Sequence, residues 1–159
     1  MGISPASIAF LFLLINSMTI SVASAQLKVT DFKQIDSLKN IQNRYSVVFV
    51  YSKVCSYCHA MKNTTFKNKQ LIQLLNNKFY FLQLDAEEKE AITFNNKHYK
   101  FVPTGNKTGT HELAIQLSTV NNKSAYPAIC ILNPQNQIIF QQSSFYSAKD
   151  FLQILEKLP

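Results

Sequence analysis

The sequence predicts an α/β domain with a central mixed β-sheet flanked by helices, and three observations predict it. A continuous apolar run, Tyr45 to Ser52, is too short for a helix and rich in β-branched and aromatic residues, so it reads as a strand buried on both faces. A second run, Phe79 to Leu84, follows after a stretch of helical spacing. Strand, helix, strand in this order makes a right-handed crossover with the two strands parallel. Two further runs, Ala128 to Leu132 and Gln137 to Gln141, flank Asn133-Pro134-Gln135-Asn136 and form an antiparallel hairpin, which makes the sheet mixed.

The elements can be justified in chain order. Ile8 to Ile15 is an apolar run, and Ala23-Ser24-Ala25 supplies the small-x-small pattern of a signal-peptidase site. Residues 1–25 are therefore expected to be a signal peptide and 26–159 the domain. The apolar run is shorter than the ~20 residues a membrane-spanning helix needs, so no stable membrane insertion is expected once the signal is removed. Thr30 or Asp31 can cap a helix with Phe32, Ile35, Leu38 and Ile41 on one face, ending near Asn43. Phe66 and Asn68 mark a break, after which Leu71, Ile72, Leu74 and Leu75 continue in helical spacing as far as Asn76-Asn77.

Between residues 86 and 110 the pattern weakens. Ile92 to Phe94 and His98 to Phe101 flank Asn95-Asn96-Lys97 as a small hairpin, and Pro103 to Gly109 reads as loop. His111 to Leu117 is helical with Thr110 as its cap, and Asn121-Asn122-Lys123 is loop. Ser147 caps a last amphipathic helix that turns Phe151, Leu152, Ile154, Leu155 and Leu158 inward.

The chemistry is concentrated where the first strand ends. Cys55 and Cys58 are followed by His59, Ala60, Met61 and Lys62, which suit the first turns of a helix, so a Cys-x-x-Cys stands at a strand-to-helix junction. If Cys55 lies at the mouth of the helix, unpaired backbone N–H groups and the helix dipole favour its thiolate. Sites of this kind lower the nucleophilic thiol from about 8.5 into a range of roughly 3.5 to 7.5. Cys55 would attack a disulfide, and Cys58, deeper in the helix, would resolve the mixed disulfide. The pair could also be a structural disulfide or half of a metal site. However, His59, His98 and His111 show no recognisable finger spacing, so no metal is expected.

Composition narrows the class. With 159 residues, 47% hydrophobic and 16% charged, the chain suits one compact domain. Its formal charge of +7 would permit contact with a polyanion, but the lysines are scattered among Asn and Gln rather than forming a block, so no nucleic-acid partner is expected. Three cysteines are too few for a disulfide scaffold, and Cys130, on an apolar strand, reads as a buried, inert thiol. Neither a Gly-x-Gly-x-x-Gly nor a P-loop occurs, so the expected redox couple is the chain's own dithiol, without an added cofactor.

An apolar strand into Cys-x-x-Cys, a parallel strand, a Pro just before a closing hairpin and a final helix resembles the thioredoxin superfamily. The Cys-x-x-Cys-His-x-Met run, His111-Glu112-Leu113-Ala114 and Tyr126-Pro127 resemble exported bacterial members of it. The resemblance implies a thioredoxin fold in which 86–110 is a small insertion before the hairpin, and in which Pro127 is cis. It also implies a substrate groove bordered by Ser56, Tyr57, Tyr126 and Pro127. His59, by its own position, reads either as a partly exposed helix residue or as one that tunes the thiols. The function the resemblance implies is thiol-disulfide exchange on protein substrates in a periplasmic or secreted setting. The direction would be reduction or isomerisation, with electrons from a membrane-bound donor.

Two departures from the family stand out. Its usual Trp before the first Cys is Val54 here, and the buried acid six residues before that Cys is Phe49. Proton transfer that helps Cys58 attack must then come through water or another group.

Two rival readings use the same residues. Cys55-Ser56-Tyr57-Cys58-His59 is a complete c-type haem attachment pattern with His59 as axial ligand, although a buried strand leading straight into it does not suit a small helical cytochrome. A non-catalytic thioredoxin-fold binding or chaperone module would keep the groove and dispense with turnover.

Overall fold

The computed structural model describes residues 26–158, and the signal-peptide reading of residues 1–25 lies outside them. The chain opens with helix α1 (Phe32–Ile41), whose N-terminus Asp31 caps by accepting the Lys33 N–H. Strand β1 (Tyr45–Tyr51) follows, then α2 (Ser56–Asn63), a 3₁₀ turn (Thr65–Lys67) and α3 (Lys69–Lys78). Asn68 separates the last two and caps α3 through the Leu71 N–H. Strand β2 (Phe79–Asp85) completes the crossover, parallel to β1 with Tyr45 opposite Phe79 and Tyr51 opposite Asp85.

Residues 86–124 hold three small hairpins rather than one. Strands β3 (Ile92–Phe94) and β4 (Lys97–Tyr99) turn at Asn95-Asn96, both at positive φ, the backbone of a tight hairpin that Asn tolerates. Strands β5 (Phe101–Pro103) and β6 (Gly109–His111) also pair, so the loop expected over Pro103 to Gly109 shrinks to five residues. Gly109 allows this pairing because the Phe101 ring and the Val102 carbonyl lie where a side chain would stand. Helix α4 (Glu112–Ser118) comes next. Then β7 (Thr119–Val120) and β8 (Lys123–Ser124) turn at Asn121-Asn122, again with both φ values positive.

The expected Thr110 cap is corrected: His111 is the cap of α4, and its ring nitrogen Nδ1 accepts the Leu113 N–H. Thr110 is instead in β6, opposite Val102.

Strands β9 (Ala128–Leu132) and β10 (Ile138–Gln142) and helix α5 (Ala148–Glu156) close the chain, with Ser147 capping α5 through the Asp150 N–H. The sheet order is β10-β9-β1-β2, with only the β1/β2 pair parallel. Central β1 is buried along both faces because each face has its own layer. Val48, Val50, Leu82 and Cys130 pack against α1, α4 and the insertion residues Phe94 and Tyr99. Val47, Phe49, Phe81 and Ile131 pack against α2, α3 and α5 through Cys58, Met61, Leu71, Phe151 and Leu155. Cys130 on β9 faces the first layer and Cys58 on α2 lies in the second, so the two are on opposite sides of the sheet.

Candidate functional site

The two cysteines form a disulfide at the C-terminal end of β1, with Cα atoms 5.2 Å apart. Cys55 is the N-cap of α2 in extended backbone. Its Sγ accepts the Cys58 N–H at 3.0 Å, so a backbone donor already faces the sulfur that would carry charge on reduction. The pair is asymmetric: Cys58 is 1% exposed inside the α2/α3/α5 layer, whereas Cys55 is half-buried at its edge. An incoming reagent can reach Cys55 and is kept from Cys58.

The residues around the disulfide divide into an apolar rim and a polar flank. Val54 is 88% and Tyr57 65% exposed, and Ser56 is exposed beside them. Tyr126 is half-buried and packs against both core layers, and Pro127, joined to it by a cis peptide bond, is buried at the start of β9.

On the polar flank the carbonyl of Lys53 accepts a hydrogen bond from His59 at 2.7 Å. A carbonyl can only accept, so His59 Nε2 carries the proton and is engaged there. The Lys53 ammonium lies 3.2 Å from the buried carboxylate of Asp85, whose hydrogen bond and charge hold it above its usual range. Among the described residues no group of three His, Cys, Asp or Glu side chains could hold a metal ion.

Phe49, at the position where thioredoxins carry an acid, is fully buried and stacked with Tyr51, their ring centroids 5.6 Å apart. Cys130 is buried, and burial pushes its thiol up to about 12, well away from exchange chemistry.

Three residues near the site were not singled out as functional from the sequence. Phe145, in the loop between β10 and α5, brings its ring to 6.3 Å from that of Tyr57. Asp85 reaches the site only because β2 lies beside β1. Lys62 stands with its ammonium over the Tyr51 ring. The signal for Lys62 was its spacing of four residues from Cys58, which places both on one side of a helix.

A family model described as a thioredoxin-like domain matches residues 31–159. The chain belongs to this thioredoxin-like family. No curated protein matches the sequence. Among solved structures, an oxidoreductase named DsbH superposes with a TM-score of 0.59 at 10% identity, covering 89% of this chain and 90% of its own. A thioredoxin from Thermus thermophilus gives 0.58 at 17% identity, covering 83% and 86%. A thioredoxin-fold protein from Helicobacter pylori gives 0.55 at 17% identity, covering 79% and 81%. These likenesses define the fold. Among the described residues no helix is long and apolar enough to cross a membrane.

Proposed function

We propose that the chain is a thiol-disulfide oxidoreductase acting on protein disulfides in an extracytoplasmic compartment, with Cys55 as nucleophile and Cys58 as resolving thiol. The observation that carries this reading is the asymmetry of one disulfide at a helix N-terminus, with an accessible sulfur facing a backbone donor and a buried one behind it.

In the reduced protein the Cys55 thiolate attacks one sulfur of a substrate disulfide. A mixed disulfide forms and the other substrate sulfur leaves as thiolate. The Cys58 thiolate then attacks Cys55 Sγ, forming the Cys55–Cys58 disulfide and releasing the reduced substrate. Two electrons have passed to the substrate, and a membrane-bound dithiol donor would return them. The position of Tyr126 beside both core layers and the exposure of Ser56 and Tyr57 support a groove for extended substrate at this edge. Reduction or isomerisation is the direction the family resemblance favours.

His59 is a weak candidate for a haem ligand because its Nε2 already donates to the Lys53 carbonyl. A non-catalytic binding module is the second reading, favoured by Phe49 standing where a buried acid is usual.

One experiment separates the readings. The mature protein is equilibrated in glutathione buffers, alkylated and weighed intact. A reversible two-electron couple that disappears in Cys55→Ser supports exchange, and its potential sets the direction, about −270 mV for a reductase and about −120 mV for an oxidant. A disulfide that resists all buffers while partner binding survives in Cys55→Ser would instead establish the binding module. Expression of the full chain in a secreting bacterium, with mass analysis for a start at Gln26, tests the signal peptide and the compartment.

A further inference from the structure

Reduction of a disulfide creates negative charge, and the place where related proteins set a titratable acid behind the resolving thiol is filled here by Phe49. A charged group beside that place in the fold is Lys62, whose ammonium reaches the rings of Phe49 and Tyr51. It lies four residues beyond Cys58 on α2, so the two share a helix face, and helical side chains lean towards the N-terminus, which inclines Lys62 back over the turn that holds Cys58. Its Nζ sits 3.0 Å from the centroid of the Tyr51 ring and 5.9 Å from that of Phe49, and Phe49 packs in the same layer as Cys58.

Among the described residues this ammonium is in no ion pair. Two ion pairs occur among the described residues, Lys33–Glu90 and Lys53–Asp85, and the Asp85 carboxylate is taken up by Lys53 and by the Glu87 N–H. Lys62 is half-buried. Burial draws its pKa down, with the charge of Asp85 opposing. On its open side it borders a cleft of about 560 Å³ whose other lining residues include Lys67, Lys69 and Gln83 but no Asp or Glu. Solvent in that cleft can keep the ammonium charged. The charged or titratable groups that face it are Asp85, Tyr51, and Lys67 and Lys69 across the cleft.

We propose that Lys62 is a positioning residue of the redox site, its ammonium stabilising the Cys58 thiolate so that the resolving step runs without a buried acid. The inference rests on the exchange reading. Cys58 loses its proton to solvent, its thiolate attacks Cys55 Sγ, the Cys55–Cys58 bond forms, and the bond to the substrate sulfur breaks; that sulfur leaves as thiolate and takes a proton from water. The cation enters no bond. It lowers the cost of the charge on Cys58, doing by attraction what a carboxylate does by accepting a proton. In the oxidised state the sulfurs are neutral, and the ring faces of Tyr51 and Phe49 hold the ammonium instead.

The test uses the mature chain and its Lys62→Met and Lys62→Arg variants. The Cys58 thiol is titrated by the pH dependence of its Cβ carbon NMR shift in a Cys55→Ser background, which needs no reagent to reach the buried sulfur, and the disulfide is equilibrated with glutathione. The expected result is a Cys58 pKa about one unit higher in Lys62→Met. At a pH above both Cys58 pKa values the equilibrium should shift about tenfold towards the disulfide, about 30 mV more reducing, and Lys62→Arg should restore both values. Equal pKa values and equilibrium constants in the wild type and Lys62→Met overturn the inference. So does a Lys62→Arg variant that behaves like Lys62→Met. Circular dichroism checks folding, and Lys62→Gln takes the place of Lys62→Met if the latter unfolds. If the wild type has no reversible couple, the exchange reading and this inference fall together; a couple indifferent to Lys62 removes only the inference.

Discussion

The ring of Tyr57, on the exposed first turn of α2, lies 6.3 Å from the ring of Phe145, which enters from the loop before α5. With Val54 these rings give the half-buried Cys55 an apolar rim, built without Trp. A substrate segment approaching Cys55 would bury its own apolar neighbours against this rim. Phe145→Ala is therefore expected to lower kcat/KM for a protein disulfide about fivefold, corresponding to about 1 kcal/mol of lost aromatic contact. Glutathione disulfide, too small to span the rim, should react almost unchanged. Parallel kinetics with both substrates check this, and an equal loss on both would count against the rim.

Acid should loosen the insertion through His111. The ring is fully buried, its Nδ1 accepts the Leu113 N–H at 3.2 Å, and its Nε2 closes no hydrogen bond. Burial lowers its pKa, while the backbone carbonyls of Glu90 and Tyr99 and the carboxylates of Glu88 and Glu112 oppose this. The folded state therefore takes up the proton less readily than the unfolded chain, whose histidine titrates near 6.5. The stabilisation is complete above that pH and is lost as pH falls through the depressed folded value. Denaturant midpoints measured between pH 8 and pH 5 should fall more steeply in the wild type than in His111→Asn, which keeps a capping acceptor but does not titrate. Parallel curves would refute the assignment.

Restoring the family's acid should damage the protein. Phe49 is fully buried, stacked on Tyr51 and edge-on to Phe66 with ring centroids 4.9 Å apart. Phe49→Asp would forfeit the packing of a buried aromatic, about 3–5 kcal/mol, and would add a carboxylate among apolar groups. The expected outcome is a large fall in the denaturation midpoint, whereas Phe49→Leu should fold and keep its redox couple. A stable Phe49→Asp protein would mean that Lys62 had moved to pair with the new charge.

Much of the fold was legible because the sheet is built from runs that water cannot tolerate. Tyr45 to Tyr51, Phe79 to Asp85 and Ala128 to Leu132 are apolar enough that burial alone determines their role. The hairpins of 86–124 were harder to read. Their strands are two or three residues long and largely polar, so their pairing depends on the turns at Asn95-Asn96 and Asn121-Asn122 rather than on periodicity. The cap of α4 was misplaced for a related reason. Thr is a common capping residue and stands next to His111, but burying His111 leaves its ring nitrogen as the acceptor that meets the helix end.

By itself the sequence determined the class of the protein and the pair of sulfurs. A strand leading into Cys-x-x-Cys and then a helix depends only on local propensity and spacing, and local patterns survive in a one-dimensional reading. Tertiary structure decided the surroundings of those sulfurs. Phe145 meets Tyr57 although most of the domain lies between them along the chain, Asp85 meets Lys53 because two parallel strands end together, and Lys62 finds the Tyr51 ring because α2 folds back over β1. These contacts join residues whose closeness in space comes from the packing of whole elements, and no spacing along the chain records it.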